Sequence, residues 1–303
     1  EATLKVHILN TPTWNNEKHA NQWLSSIENH ALPYIGHLPI GNITPSDIMT
    51  VLSKIWVDKP DTAKKIRQRL RAVIKWARAQ GLFTGDDPVE IAEAALPKVK
   101  NKANHFKSAP FANIPAIFKQ VAQSSLFPST KLAVQFLILT ACRTTEVREA
   151  TWNEIDLEQK LWCIPAERMK TGSPHNVPLS IQALEILKKA RELQTDNDLI
   201  FPSPVNNAAL SSNALLHALQ KRLKIDATIH GMRSSFKDWA SETTNYSNEV
   251  SEMALAHIVS NKVEGAYRRG DLLEKRRWLM QDWSNFVSSS EEKTVQLLRK
   301  TTS

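Results

Sequence analysis

The 303-residue sequence is poor in glycine and cysteine and contains no long apolar run. Its 8 glycines are too few for glycine-rich phosphate loops or a hairpin-rich all-β fold, so a mostly helical protein is expected. The two cysteines, Cys142 and Cys163, lack metal-ligand spacing, which argues against a zinc site and a disulfide framework. No segment approaches the roughly 18 apolar residues of a membrane span, and the first residues do not resemble a secretion signal. We therefore expect a soluble, cytoplasmic protein with no membrane partner.

Acidic residues are fewer than basic ones, and this balance indicates a class of partner. Lys and Arg number 39 against 31 Asp and Glu, which gives a net charge of +8. Such an excess favours a polyanionic partner such as nucleic acid, although charge alone does not separate a nucleic-acid-binding protein from other basic proteins.

The N-terminal third has the pattern of a helical domain with a basic face. Apolar spacing predicts helices over 13–31 and 61–80, and Thr44 followed by Pro45 marks the start of another between them. From Lys54 to Arg78 there are nine Lys or Arg but only two Asp. This run is either a solvated helix face or a surface that contacts phosphates. The candidate binding residues of the 61–80 helix are Lys64, Arg67, Arg69, Arg71 and Lys75.

A lysine-rich stretch without apolar periodicity, PKVKNKANHFKSAP, follows at 97–110. We interpret it as an interdomain linker, so that the chain comprises a helical domain over 1–97, a basic linker over 98–110 and a second domain over 111–303. The linker lysines Lys98, Lys100 and Lys102 either keep it solvated or contact the same polyanion.

The second domain mixes helices with short β segments. The segment 131–140 is too apolar for a surface helix and is predicted to lie in the core. It leads to Arg143, whose guanidinium needs an anion or carbonyl oxygens there; Glu146 is one candidate partner and a substrate is the other. Short apolar segments at 155–157, 161–165 and 176–179 predict a small hairpin with Lys170 at its tip, a position where lysine is usually solvated. Further helices are predicted over 114–123, 181–193, 212–223 and 272–286.

The order of polar residues in this domain carries the most specific signal. Arg143 is followed at three residues by Glu146, Lys170 comes next, then His230-x-x-Arg233, then His257, and Tyr267 follows after nine further residues. Taken together, this arrangement resembles the catalytic signature of the tyrosine recombinases, or phage integrase family, over about residues 106–286. The segment after Tyr267 is most similar to integrases of prophages and genomic islands. Alanine stands at 141 and 256, where the family often has glycine, and Met232 where leucine is common.

The resemblance implies a fold and a reaction. The fold is mainly α with a small antiparallel β-sheet in the C-terminal domain, and a helical core-binding domain precedes the catalytic domain. Tyr267 would attack a DNA phosphodiester to give a 3′-phosphotyrosyl intermediate, with His230 accepting its proton. Arg143 and Arg233 would bind the phosphorane-like transition state, His257 would hydrogen-bond the phosphate, and Lys170 would protonate the leaving 5′-oxygen. No metal or cofactor is expected, and Tyr34 and Tyr246 are expected to be structural.

The family also implies partners. Double-stranded DNA at core-type attachment sites would be the substrate. The protein would be a monomer when free and would assemble into a homo-tetramer on DNA, and DNA-bending accessory proteins would be further partners. The helix after Tyr267 and the tail at 295–298 either cap the core locally or dock on a neighbouring protomer. Because residue 1 is Glu rather than Met, we expect an arm-binding domain to have been removed upstream. The alternatives are a type IB topoisomerase and a catalytically silent DNA-binding regulator.

Overall fold

The chain folds as two compact units, Glu1–Asn104 and His105–Ser303, in a computed structural model. The structure describes residues 1–13, 17–98, 107–193, 197–257 and 271–289. The division between the units falls within the predicted linker, most of which lies outside these residues. No helix in the described ranges combines the length and the apolar character that crossing a membrane requires.

The first unit is helical throughout its described residues. Thr44 caps α4 in a reciprocal box with Asp47, whose carboxylate accepts the Thr44 backbone N–H at 2.9 Å. Asp87 caps α6 by accepting the Val89 N–H at 2.9 Å. The helices are α1 (Ala2–Asn10), α2 (Glu17–His30), α3 (Leu32–Ile35), α4 (Pro45–Ser53), α5 (Pro60–Ala79) and α6 (Pro88–Ala95), with 3₁₀ turns at Thr11–Thr13 and Ile40–Asn42.

Helix α5 forms the centre of the first unit. It begins at Pro60, where the missing N–H costs nothing, and it ends before Gly81, which has a φ of 70°. Its buried stripe contacts α1, α2, α4 and α6, and it includes Ile66, Leu70, Val73, Ile74 and Ala77. The opposite side of the helix is left to polar residues, so the 61–80 segment has the amphipathic character that the sequence predicts.

The second unit contains the remaining helices and the only sheet found in the described ranges. Its helices are α7 (Ile114–Gln123), α8 (Pro128–Thr140), α9 (Thr144–Arg148), α10 (Ile181–Arg191), α11 (Ala214–His217), α12 (Gly231–Thr243), α13 (Asn248–Ala254) and α14 (Leu273–Val287). A π-helical turn, Ala218–Arg222, continues α11, and 3₁₀ turns lie at Phe111–Asn113, Trp152–Glu154 and Ala166–Arg168. The strands are β1 (Ile155–Asp156), β2 (Leu161–Ile164) and β3 (His175–Pro178).

Helix α8 is the core helix of this unit, as the 131–140 segment predicts. Every side chain from Leu132 to Thr140 is buried, and Lys131 just before them is partly exposed. The helix contacts α7, α9, α10, α11 and α14. The helix ends at Ala141, which adopts the left-handed conformation with φ 51° and ψ 26°. This reversal turns the chain so that Arg143 lies directly beside the buried end of α8.

The three strands form an antiparallel sheet in the order β1-β2-β3. Trp162 of β2 pairs with Ile155 on one side and with Val177 on the other, so the register is fixed by buried apolar residues. The β2–β3 connection carries Lys170. The mainly helical fold with a small antiparallel sheet in the C-terminal part is therefore confirmed.

An aromatic cluster holds α12 and α14 together. Phe236 and Trp239 of α12 contact Trp283 at ring-centroid distances of 5.4 and 5.1 Å, and Phe286 packs on both tryptophans. The Trp283 indole N–H donates to the carbonyl of Ile138 in α8 at 2.8 Å. Helix α12, which follows His230 and carries Arg233, is thereby fixed relative to the core helix.

Candidate active site

Arg143 stands between α8 and α9, in partial contact with solvent. Its backbone N–H donates to Glu146 at 2.6 Å, and its Nη1 donates to the other oxygen of the same carboxylate at 2.8 Å. Its Nη2 donates to the carbonyl of Ala256 at 3.2 Å. Glu146 is therefore one partner of Arg143, as the sequence allowed, and the guanidinium is only partly exposed.

Arg233 lies one turn into α12 and is buried. Nη1 donates to the carbonyl of Ala141, and Nη2 donates to the carbonyl of Leu255 at 2.6 Å. Burial lowers the pKa of this guanidinium, and the carbonyl oxygens offset part of the cost of enclosing its charge. The α8 terminus and the α13 terminus are thus joined through Arg233.

Two alanines in left-handed conformations complete this frame. Ala141 has a φ of 51° and Ala256 a φ of 50°, a region that favours glycine. Their carbonyls accept from Arg233 and Arg143 respectively, so each backbone reversal presents an oxygen to a guanidinium. The two positions are those where the sequence departs from the family's glycines, and the backbone conformation gives the physical reason why glycine is common there.

His257 lies beside Arg233 at the end of α13. Its Nε2 is 3.4 Å from the Arg233 Nη2, and its Nδ1 is 2.8 Å from the carboxylate of Glu252. Lys237 contacts the other oxygen of Glu252 at 2.7 Å. Of the residues that the sequence singles out, Arg143, Arg233 and His257 are therefore joined by direct contacts or by a shared backbone segment.

His230 caps the start of α12 and reaches the surface close to the same cations. Its pKa is lowered, first by desolvation and then by the positive charges of Arg233, Arg143, His257 and Lys170. The neutral imidazole is consequently the favoured form near pH 7. The positive charges of these four groups therefore act on His230.

Lys170 is exposed on the β2–β3 connection, and Arg168 attaches that connection to the rest of the unit. Arg168 pairs with the buried carboxylate of Glu154, which also accepts the Trp162 indole N–H at 2.9 Å. The Arg168 Nη2 donates to the carbonyl of Glu146 at 2.5 Å. The connection that carries Lys170 is therefore attached to the helix that carries Glu146.

Gly231, between His230 and Met232, is required by a close backbone approach. A Cβ at this position would overlap the carbonyl oxygen of Lys107. The same oxygen accepts the Thr228 backbone N–H at 2.8 Å, and the Thr228 hydroxyl in turn accepts the Gly231 N–H at 2.9 Å. The end of the predicted linker thus runs across the start of α12.

The three tyrosines fall in different situations. Tyr267 lies outside the described residues, so its predicted role as the nucleophile stays a prediction. Tyr246 donates its hydroxyl to Asp282 at 2.7 Å, and desolvation together with that carboxylate raises its pKa. Tyr34 lies in α3 of the first unit with an exposed side chain. A raised pKa disfavours Tyr246 as a nucleophile, because its phenolate is harder to form.

The predicted polyanion-binding residues of α5 divide into two groups. Arg69 is buried, and its guanidinium donates to the Ser26 hydroxyl and to the Gln22 carbonyl. The prediction for Arg69 is therefore corrected: its side chain is held in the interior of the first unit. Arg67 pairs with Glu93, and Arg71 pairs with Asp87 and Glu90 at 3.1 and 3.0 Å, so local carboxylates oppose these two charges.

The lysines remain available at the surface. Lys64 and Lys75 are exposed and about three helical turns apart, on one side of α5. Lys98 is also exposed, and Lys100 and Lys102 lie outside the described residues. Their contact with a polyanion stays a prediction.

Sequence reasoning missed Glu252, Lys237, Arg168 and Glu154. Each acts through a partner far along the chain or on another element, and single charged residues on short helices carry no recognisable signal. The one available hint is that Glu252 stands five residues before His257, which brings both side chains to the same end of the short helix α13.

Comparison with known proteins covers both units. Residues 109–271 match the phage integrase family, and residues 1–94 match the phage integrase central domain. Prophage integrase IntZ of Escherichia coli is 34% identical over 275 residues, which are 90% of this chain and 67% of that protein. Prophage integrase IntA of the same organism is 30% identical over 98% of this chain and 73% of that protein.

Solved structures show the same fold at low sequence identity. A lambda integrase dimer bound to a COC′ core site gives a TM-score of 0.66 at 22% identity, over 89% of this chain and 77% of that chain. A lambda integrase tetramer bound to a Holliday junction gives a TM-score of 0.65 at 22% identity, over 88% of this chain and 76% of that chain.

Proposed function

The chain belongs to the phage integrase family of tyrosine recombinases, and from this premise we propose that it integrates or excises a mobile genetic element by cutting and rejoining duplex DNA through Tyr267. The attack forms a bond between the Tyr267 oxygen and the phosphorus and breaks the bond to the 5′-oxygen, so the phosphoester energy is kept in a 3′-phosphotyrosyl linkage. A second strand's 5′-hydroxyl reverses the step and releases the tyrosine.

The observation that carries the proposal is the pair of guanidiniums held on one backbone frame. Arg143 and Arg233 are fixed through the carbonyls of Ala141, Leu255 and Ala256, and His257 lies beside Arg233. A guanidinium has five N–H donors, and the contacts described leave donors of both groups for a ligand. Two adjacent guanidiniums suit a phosphate whose non-bridging oxygens gain negative charge in the transition state.

Proton transfer is assigned to His230 and Lys170. The lowered pKa of His230 keeps its imidazole neutral, so that it can accept the proton that Tyr267 loses on attack. Lys170, exposed on its connection, carries a proton that the leaving 5′-oxygen requires. The cations can stabilise the transition state directly, so the mechanism routes no step through a metal ion.

DNA recognition is assigned to both units. The first unit would contact the backbone through Lys64, Lys75 and Lys98, with Lys100 and Lys102 extending the surface; Arg67 and Arg71 would contribute less, because carboxylates already oppose their charges. Lambda integrase is bound to a core site as a dimer and to a Holliday junction as a tetramer. By analogy we propose a tetramer on paired core-type sites for this chain, monomeric when free, acting in the cytoplasm with DNA-bending proteins.

The experiment that separates this function from its alternatives uses two duplexes. Candidate core sites are taken from the ends of the mobile element that encodes the chain, one on a supercoiled plasmid and one on a labelled linear fragment. A recombinase joins the fragment to the plasmid. Relaxation of the plasmid without joining would favour a nicking-closing topoisomerase, and binding with neither reaction would favour a silent regulator.

A further inference from the structure

We propose that Glu252 is a positioning residue for His257, which it holds in one tautomer and one orientation toward the phosphate site; this inference rests on the proposed function. Glu252 lies in α13, two residues before the end of that helix, and its carboxylate is part-buried. Glu252 is not itself expected to touch DNA, so any effect of this residue on cleavage must pass through a neighbour such as His257.

Both oxygens of Glu252 are engaged. Oε2 lies 2.8 Å from the His257 Nδ1, and Oε1 lies 2.7 Å from the Lys237 Nζ. The His257 backbone N–H also donates to the Glu252 carbonyl at 3.0 Å. Side chain and main chain of His257 are therefore both tied to this one residue.

The charge state of Glu252 determines which nitrogen of His257 carries a proton. Burial opposes ionisation of the carboxyl group, but hydrogen bonds from Lys237 and His257 outweigh it, so the pKa of Glu252 is lowered. An ionised carboxylate only accepts hydrogen bonds, so the His257 Nδ1 must be the donor in their contact. Nε2 then carries the lone pair and faces the Arg233 Nη2, a donor, at 3.4 Å. In this tautomer the ring orients the Arg233 guanidinium, and it donates to a phosphate oxygen only when Nε2 is protonated as well.

Lys237, on α12, holds the second oxygen of the Glu252 carboxylate. It stands four residues after Arg233, so both side chains lie on one face of that helix. Its Nζ also donates to the Ser251 hydroxyl at 2.7 Å and to the Asn248 side chain. Arg233, His257, Glu252 and Lys237 thus form a chain of contacts that starts and ends on α12, and Lys237 prevents the Glu252 carboxylate from rotating away from the imidazole.

The contacts of Glu252 differ from those of an isolated surface ion pair. Isolated pairs near a surface contribute little to folding. Here one carboxylate oxygen contacts the imidazole, and the other contacts a lysine that also donates to the Asn248 side chain and to the Ser251 hydroxyl. At metal sites, a carboxylate that accepts from a functional imidazole fixes the ring orientation and the tautomer, and its loss reduces activity by about 10- to 100-fold. We expect the same physical effect on His257.

The test combines kinetics with a direct view of the imidazole in the intact chain. Glu252→Gln keeps the size of the side chain and one acceptor oxygen, whereas Glu252→Leu keeps the size and removes both. Single-turnover cleavage of a nicked core-site duplex should slow by about 10-fold in Glu252→Gln and further in Glu252→Leu, with DNA affinity within about 2-fold of wild type. Glu242→Gln, the same change at an exposed position of α12, should cleave at the wild-type rate.

A double-mutant cycle shows whether Glu252 acts through His257. Once His257 is replaced by Gln, adding Glu252→Gln should slow cleavage by less than about 2-fold more. If the two losses multiply, or if Glu252→Gln cleaves like wild type, the proposal is wrong.

A second readout does not depend on cleavage. In protein labelled with nitrogen-15 at histidine, the His257 signals, identified by their loss in His257→Gln, should report a protonated Nδ1 in the wild type and a mixture of tautomers in Glu252→Leu. Failure of the wild type to form a covalent complex would overturn the proposed function, and the tautomer measurement would still decide the role of Glu252. A wild-type His257 protonated only on Nε2 would overturn that role.

Discussion

Replacing Ala256 with glycine is expected to stabilise the second unit. Ala256 has a φ of 50°, and this left-handed conformation costs an alanine about 1–2 kcal/mol. Glycine removes that cost but adds about 0.5–1 kcal/mol of backbone entropy to the unfolded chain. Because the Ala256 methyl group is only partly buried, little packing is lost, and the net gain in the free energy of unfolding is about 0.5–1 kcal/mol.

Ala141 gives an internal comparison. Its φ of 51° carries a similar strain, but its side chain is 2% exposed. Removing a buried methyl group costs about 0.8 kcal/mol, so Ala141→Gly should leave stability almost unchanged. The difference between the two variants in the free energy of unfolding therefore measures the contribution of the buried methyl group, because the backbone strain is similar at both positions.

Thermal and denaturant unfolding measure these changes. For a unit of about 200 residues, the expected gain in Ala256→Gly corresponds to a rise in Tm of about 1–4 °C. The control is Ala116→Gly, an exposed helical position in α7 where the same substitution should destabilise by about 0.5–1 kcal/mol. If Ala256→Gly loses as much stability as Ala116→Gly, the left-handed backbone at Ala256 is not strained and the reasoning is refuted.

Three further predictions concern DNA and proton transfer. Lys64→Ala and Lys75→Ala should each weaken binding to all DNA sequences, and each should flatten the slope of the logarithm of the binding constant against the logarithm of the salt concentration by about 0.9. An unchanged slope would contradict the assignment of the two lysines. Arg69→Ala should instead lower the free energy of unfolding, because its guanidinium is bonded in the interior. Lys170→Ala should slow cleavage by roughly 100-fold, and a 5′-bridging phosphorothioate, which needs little protonation on leaving, should restore the rate; no restoration would mean that another group is the acid. Because the active form of His230 is neutral and its pKa is lowered, the cleavage rate should persist as the pH falls to the ordinary histidine value of about 6.5 and decline only below it; a decline that begins above that value would contradict the proton acceptor assigned here.

The fold and much of the site could be predicted because their residues are constrained by type and spacing. Helix α8 is recognisable since seven of the ten residues from 131 to 140 are apolar. Arg143, His230, Arg233 and His257 are recognisable since their order and spacing match one signature. The left-handed turns at 141 and 256 could not be predicted, because alanine gives no sign of a positive φ.

Arg69 shows why a charge pattern alone misleads. It stands three residues after Ile66 and four before Val73, so the helical period places it within the buried stripe of α5. Its charge suggested exposure, but the period decided its position, and Ser26 with the Gln22 carbonyl satisfies its donors. Contacts between elements, such as those that join Lys237 to Glu252 and Glu252 to His257, produce no periodic pattern in the sequence and so could not be predicted from it.

The assignment of Tyr267 as the nucleophile is the central claim, and one comparison tests it most directly. Wild type, Tyr267→Phe and Tyr246→Phe are mixed with a nicked core-site duplex, and bound complexes are scored on native gels and covalent adducts on denaturing gels. Tyr246→Phe loses its hydrogen bond to Asp282, at a cost of about 1 kcal/mol in stability, but should still form the adduct. Tyr267→Phe should bind DNA and form no adduct, because the arginines cannot replace a missing nucleophile. An adduct with Tyr267→Phe, or its loss in a folded, DNA-binding Tyr246→Phe, would contradict the account.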